Sequence, residues 1–157
     1  MGIDPGLVQT GFGIINIKNK ENILIDYGII KPSTKDNLSL RLFTIFKDIC
    51  HVISDYKPNI FAIEDIFYGK NVKSAMRLGQ ARGAAMVAAA SKGIPIYEYS
   101  AKKVKQSLTG NGNANKEQVQ FMVKANLNMR QMPEPIDASD ALAVAICHYH
   151  QVRLINI

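Results

Sequence analysis

Four acidic residues stand where carboxylates can act together. Asp4 closes the block Gly2-Ile3-Asp4, and Pro5-Gly6 then turns the chain. Glu64 ends the apolar run Ile60-Phe61-Ala62-Ile63, and Asp137 and Asp140 open a late helical segment. A spacing of three places two side chains on one helix face, with Cβ atoms about 5–6 Å apart. Carboxylates crowded together repel one another unless a cation lies among them. Hard oxygen donors with no neighbouring His or Cys pair suit Mg²⁺ or Mn²⁺ better than Zn²⁺. Two such ions about 3.5–4 Å apart activate water and stabilise the leaving oxygen in phosphodiester hydrolysis. Each acid also has a plainer reading. Asp137 can be a helix N-cap, Asp140 a favourable first-turn charge, Glu64 a surface residue at a strand end, and Asp4 the start of a turn. Asp65 points away from Glu64 if the strand continues, so it does not belong to the set.

These acids need elements that bring them together. Met1 to Asp4 ends a short strand. Phe12 to Asn19 and Ile23 to Ile30 read as two more strands, joined by a hairpin turn through Lys18-Asn19-Lys20-Glu21-Asn22. Leu38, Leu42, Ile45, Ile49, Val52 and Ile53 recur at helical spacing and predict a helix from Leu38 to Tyr56, stopped by Lys57-Pro58. Ile60 to Glu64 reads as a buried strand, Lys73 to Lys92 as a second long helix, and Ile94 to Tyr99 as a fifth strand. Ser100 caps a short helix through Leu108. Asn115 with Gln118 resembles a capping box for a helix to about Asn126, and Asp137 opens a last helix to about Arg153. Three strands followed by strand–helix alternation predict an α/β fold: a five-stranded mixed sheet with helices on both faces. Ligands of such sheets gather at the carboxyl ends of the central strands, where Asp4 and Glu64 stand.

Composition narrows the class. The chain has 157 residues, 47% of them hydrophobic, enough for the core of one domain spanning 1–157. No repeat, low-complexity tract or long linker divides it. A net charge of +6 favours a polyanionic partner such as nucleic acid. Cys50 and Cys147 both fall in predicted helices and suggest no disulfide framework, so a reducing cytoplasm is the expected compartment. Met1-Gly2-Ile3-Asp4-Pro5 has neither the basic nor the apolar region of a signal peptide. The longest small-apolar run, Gly83 to Ser91, is far short of the ~20 residues of a membrane span, so no membrane partner is expected.

The chain resembles the RuvC family of crossover junction endodeoxyribonucleases over nearly its whole length. The resemblance lies in Gly2-Ile3-Asp4-Pro5-Gly6, Thr10-Gly11-Phe12-Gly13, Ala62-Ile63-Glu64 and Lys70-Asn71. It continues through Leu78-Gly79-Gln80-Ala81-Arg82-Gly83, Val104-Lys105-Gln106 and Asp137-Ala138-Ser139-Asp140-Ala141-Leu142-Ala143. These blocks in this order are specific, whereas Asp-Pro-Gly alone is not. The resemblance implies a ribonuclease H-like fold, a homodimer, and two Mg²⁺ per subunit, with Mn²⁺ able to substitute. It implies Asp4, Glu64, Asp137 and Asp140 as the catalytic metal ligands. The implied activity is symmetric nicking of four-way (Holliday) junction DNA in recombination and repair, leaving 5′-phosphate and 3′-hydroxyl ends. Cooperation with the RuvA–RuvB branch-migration complex is implied as well. Family members carry a few more apolar residues ahead of the Gly-Ile-Asp-Pro-Gly block, so either the start is trimmed or the first strand is short.

The same resemblance sorts several residues that are ambiguous alone. Phe67 and Tyr68 follow Glu64 in a loop, where an aromatic ring can wedge between bases or simply pack on a helix. The resemblance favours the wedge for Phe67. Lys70 and Asn71 can contact phosphate or face solvent. Lys102, Lys103, Lys105 and Lys116 form either a phosphate-tracking patch or a solvated face, and the resemblance assigns Lys105 and Lys116 to DNA near the site. Ala75, Gly79 and Gly83 make a ridge of small residues, which by default packs within the chain but which the resemblance places at a dimer interface. His148 and His150 are two apart and share no helix face, which argues against a metal site there. Two rivals remain at the level of sequence. Actin-like sugar kinases and ATPases share the three-strand start, but they need a second domain and phosphate loop that do not fit this length. The other rival is a junction-binding scaffold without activity.

Overall fold

The computed structural model describes residues 1–66 and 71–155. Its elements in chain order are β1 (Gly2–Asp4), β2 (Thr10–Lys18), β3 (Glu21–Ile30), α1 (Leu38–Tyr56), β4 (Phe61–Glu64), α2 (Val72–Ser91), β5 (Ile96–Tyr99), α3 (Ala101–Thr109), α4 (Lys116–Asn126) and α5 (Ile136–Ile155). The sheet runs β3-β2-β1-β4-β5. β2 is antiparallel to both β1 and β3, while β1, β4 and β5 are parallel. This is the mixed five-stranded sheet that the sequence predicts.

Period-two alternation divides the sheet into two faces. Ile3, Phe61 and Ile63 point to one side, where they join Ile45, Ile49 and Ile53 of α1 and Ala81, Ala85, Ala88 and Ala89 of α2 in one core. Ala62 points to the other side and joins a second core with Val104 and Leu108 of α3, Val119 and Val123 of α4, and Leu142, Val144 and Ile146 of α5. Helices therefore cover both faces. Strand register pairs Gly2 with Ala62 and Ile3 with Ile63. One step further, Asp4 and Glu64 end neighbouring parallel strands, both facing the α3–α5 layer.

α5 lies across all five strands. It gets close because the sheet beneath it has almost no side chains. A Cβ added to Gly2 would overlap the Ala141 carbonyl oxygen, and one added to Gly11 would overlap the Asp137 carbonyl oxygen. At Gly13 the added carbon would stand 2.9 Å from the Leu142 nitrogen. The backbone of α5 thus rests on the backbone of β1 and β2. Ala138, Ala141, Leu142, Ala143 and Val144 are all buried as a result.

Several boundaries differ from the sequence reading by one or two residues, and three of them have a visible cause. β2 starts at Thr10 rather than Phe12, because Thr10 and Gly11 pair with Ile30 and Ile29. β5 starts at Ile96 rather than Ile94, because the Ile94 N–H donates to Ala89 O at 3.2 Å and closes the end of α2. α5 starts at Ile136, so Asp137 sits inside the first turn and is not the N-cap. The capping box at Asn115 and Gln118 is present as read.

Filling the glycine floor tests its role. Gly11→Ala should lower stability by about 1–3 kcal/mol, the usual cost of overpacking a tight contact, read as the shift in a urea unfolding midpoint.

Candidate active site

Asp4, Glu64 and Asp140 line one cavity of about 230 Å³, with Lys105 and Lys116 on its other walls. β1, β4 and α5 supply the acids, α3 and α4 the lysines. A larger cavity of about 570 Å³ lies at the opposite end of the sheet, beside Met1, Ile14, Pro58 and His148, and no acid lines it. The chemistry therefore belongs to the smaller one.

The acids are half-buried and repel one another. Burial first, then Glu64, Asp140 and Asp137, push the Asp4 carboxyl up to about 8, against a smaller opposing pull from Lys116. Burial and Asp140 raise Glu64 to about 7, with Lys116 and Lys105 opposing. Burial also raises Asp140, opposed by its contact with Lys116. The Lys116 ammonium donates to Asp140 Oδ2 at 3.3 Å, and its own pKa is raised mainly by that carboxylate. Asp137 does not line the cavity, yet it is near enough to push on Asp4. Its Oδ2 accepts a hydrogen bond from Gln9 Nε2. Gln9 is held by the β1–β2 turn, which the Thr10 hydroxyl closes by donating to Gly6 O at 2.8 Å.

Among the described residues, no three His, Cys, Asp or Glu side chains are gathered as a ready metal cage. Uncompensated carboxylates are expected to stand apart, here with Lys116 and Gln9 each holding one. The donor set still fits a hard divalent cation. It is all oxygen and half-buried, and burial together with neighbouring acids raises the proton affinity of Asp4, Glu64 and Asp140, a cost that a cation would relieve.

The sequence-predicted residues fare differently. The four acids and Lys105 and Lys116 come together at one end of the sheet. Asn71 caps α2, its Oδ1 accepting from the Ser74 N–H at 3.1 Å. Phe67, Tyr68 and Lys70 lie outside the described residues. Ala75, Gly79 and Gly83 lie along α2, and few of the described residues fill the space beside the glycines. Among the described residues, a Cβ at Gly83 would meet nothing within 4 Å, and one at Gly79 only the Ile66 side chain at 3.6 Å. Val72, Met76 and Val87 on that helix are 70%, 64% and 58% exposed. The sequence reading missed this apolar stripe, although spacings of four between Val72 and Met76 and between Gly83 and Val87 were there to be seen. It also missed Gln9, for which no local signal exists, since its partner is 128 residues away.

Sheet order and the acids at its carboxyl edge define a class, the ribonuclease H-like fold of junction resolvases. A crystal structure of the yeast mitochondrial Holliday junction resolvase shares that fold alone, with a TM-score of 0.69 at 12% identity over 99% of this chain and 81% of that one. A family model described as "Crossover junction endodeoxyribonuclease RuvC" matches residues 1–148. The chain belongs to the RuvC family. It is 49% identical over 154 residues to the crossover junction endodeoxyribonuclease RuvC of Citrifermentans bemidjiense, covering 98% of this chain and 93% of that protein. It also matches the Thermus thermophilus RuvC solved in complex with a Holliday junction substrate, with a TM-score of 0.92 at 34% identity, covering 98% and 93% of the two chains.

The raised carboxyls fix a pH dependence. Asp4 and Glu64 bind protons more tightly folded than unfolded, so their contribution to stability is full below about pH 4 and is lost as pH rises through about 7 to 8. Thermal unfolding without metal should show this part of stability falling between about pH 4 and pH 8. Added Mg²⁺ should raise Tm more at pH 8.5 than at pH 6, because protons compete for the same oxygens. An equal rise at both pH values would contradict the assignment.

Proposed function

We propose that this chain resolves four-way (Holliday) DNA junctions by paired nicks, with Asp4, Glu64, Asp137 and Asp140 as its divalent-metal ligands. The observation that carries this reading is the gathering of acids from β1, β4 and α5 at one sheet edge, walled by Lys105 and Lys116. Family membership supplies the reaction, structure-selective phosphodiester hydrolysis in DNA recombination and repair. The metals are two Mg²⁺ per subunit, with Mn²⁺ able to replace them. When bound they supply Lewis acidity to the phosphate and lower the pKa of water.

The side chains supply the rest. The four carboxylates would hold the cations. Lys105 and Lys116 place positive charge where a phosphate arrives, and lysine suits this as a compact point charge. Lys116 then exchanges Asp140 for phosphate oxygen. Phe67, three residues beyond Glu64, wedges into the branch point, where bases are already loosened and insertion costs less than in intact duplex. Lys70 and Asn71 contact the backbone beside it. A net charge of +6 favours the polyanion throughout.

Paired nicking needs two active sites, and α2 offers the surface to join two copies. Its ridge of Ala75, Gly79 and Gly83 permits close helix approach, and the exposed Val72, Met76 and Val87 extend the apolar face. No described helix is long and apolar enough to cross a membrane. The proposed setting is the cytoplasm, with the RuvA–RuvB branch-migration complex as partner.

The direct assay uses a synthetic mobile four-way junction with Mg²⁺, products resolved by strand. Asp4→Asn and Glu64→Gln should abolish nicking and leave junction binding largely intact. Phe67→Ala should cut nicking about ten- to a hundred-fold, corresponding to roughly 1–3 kcal/mol of lost stacking, with a smaller effect on binding. Substantial cleavage by either acid variant would sink the ligand assignment, and binding without nicking by the wild type would favour a scaffold.

Assembly has its own test. Gly79→Leu should shift the sedimentation equilibrium toward monomer and turn paired nicks into single ones. A wild type that stays monomeric with junction DNA present would count against the α2 interface.

A further inference from the structure

We propose that Arg82 is a positioning residue that holds Glu64 in place from the opposite face of the sheet. Arg82 sits in the middle of α2, with a side chain only 14% exposed. Its Nε donates to the Glu64 main-chain oxygen at 3.2 Å. A terminal nitrogen of the same guanidinium pairs with the Glu98 carboxylate on β5 and stands 3.6 Å from Asp65 Oδ1. One planar cation thus ties the last residue of β4, the residue after it, and the neighbouring strand. Backbone pairing with β5 ends at this place, where the Asp65 N–H donates to Tyr99 O at 2.8 Å.

The geometry matters because Glu64 is a strand-end residue. Ile63 is locked by the ladders on both sides. Glu64 pairs with Tyr99 of β5 but has no ladder partner on β1, so its main chain is held by pairing on one side only. Arg82 supplies the other side through the Glu64 carbonyl. A fork with fixed donor directions can serve an oxygen and two carboxylates together, whereas a lysine ammonium holds the charge without that geometry. Glu98 in turn keeps the fork turned toward Glu64. Partners one shell out from metal ligands orient them in this way, and their loss typically costs 10–100-fold in metal affinity or activity.

The inference rests on Glu64 being a metal ligand, and calorimetric titration with Mn²⁺ in the absence of DNA separates the two. If the wild type takes up no Mn²⁺, the ligand assignment fails. If it does, Arg82→Gln should weaken uptake about ten-fold or more and lower kcat on the junction with KM nearly unchanged. Arg82→Lys and Glu98→Gln should each weaken uptake by a few-fold. Ile49→Val, a core change on α1 remote from the acids, serves as the control for general destabilisation and should leave uptake as in the wild type. Should Arg82→Gln fail to fold, Arg82→Lys and the half-exposed Glu98→Gln carry the comparison. Wild-type Mn²⁺ affinity and kcat in the folded Arg82 and Glu98 variants would overturn the proposal, as would an equal loss in Ile49→Val.

Discussion

The position of α5 on the sheet depends on a contact between two backbones. β1 and β2 present Gly2, Gly11 and Gly13 where a sheet would ordinarily carry side chains, and α5 rests on that bare floor. Helices packed through side chains sit several ångströms further out. At that greater distance Asp137 and Asp140 would stand above the sheet edge rather than beside Asp4. The contact also accounts for the small residues Ala138, Ala141 and Ala145 on the face of α5 that meets the glycines, while Leu142, Val144 and Ile146 fill the second core. The start of α5 lies at the acids as well, where the positive end of the helix partly offsets the carboxylate charge.

The same closeness creates an electrostatic cost. At this edge burial, and after it the neighbouring acids, raise the proton affinity of Asp4, Glu64 and Asp140 around a single cavity. The chain meets this locally with Lys116 on Asp140 and the Gln9 amide on Asp137. Neither partner is a permanent mate. Both contacts are side-chain hydrogen bonds that a cation or a phosphate can displace. A site satisfied by its own side chains in this provisional way stays folded without committing its oxygens.

Much of this was legible in the sequence, for identifiable reasons. α1 announced itself by six apolar residues at helical spacing, and α4 by a capping box, because both signals are local. The acids at strand ends were legible as positions but not as a site. Strand order and facing decide whether Asp4 and Glu64 meet, and those are long-range facts that only the ordered family blocks conveyed. Gly11 and Gly13 carry no strand signal of their own, since glycine is a poor strand former. Their value lies in what packs above them, more than a hundred residues later. Asp137 read as an N-cap by type and place, but Pro135 supplies the carbonyl to which Ala138 N–H donates at 3.0 Å, and the helix begins a residue earlier. Gln9 and Arg82 act wholly through tertiary contacts, which no periodicity reports.

The two faces of the sheet divide the proposed work. The α3–α5 face gathers the acids and lysines, and the α1–α2 face leaves its apolar stripe to solvent. The division is incomplete at the end of β4. There the Glu64 side chain belongs to the first face, while its carbonyl oxygen is held by Arg82 from the second. α2 therefore carries both the surface proposed to join two copies and the cation proposed to steady a metal ligand. A helix under that double constraint cannot shift to suit a partner without moving Arg82 relative to Glu64. If two copies meet along α2, the pairing and the readiness of each site become linked through one rigid element. Such a linkage would suit an enzyme that must make two cuts rather than one.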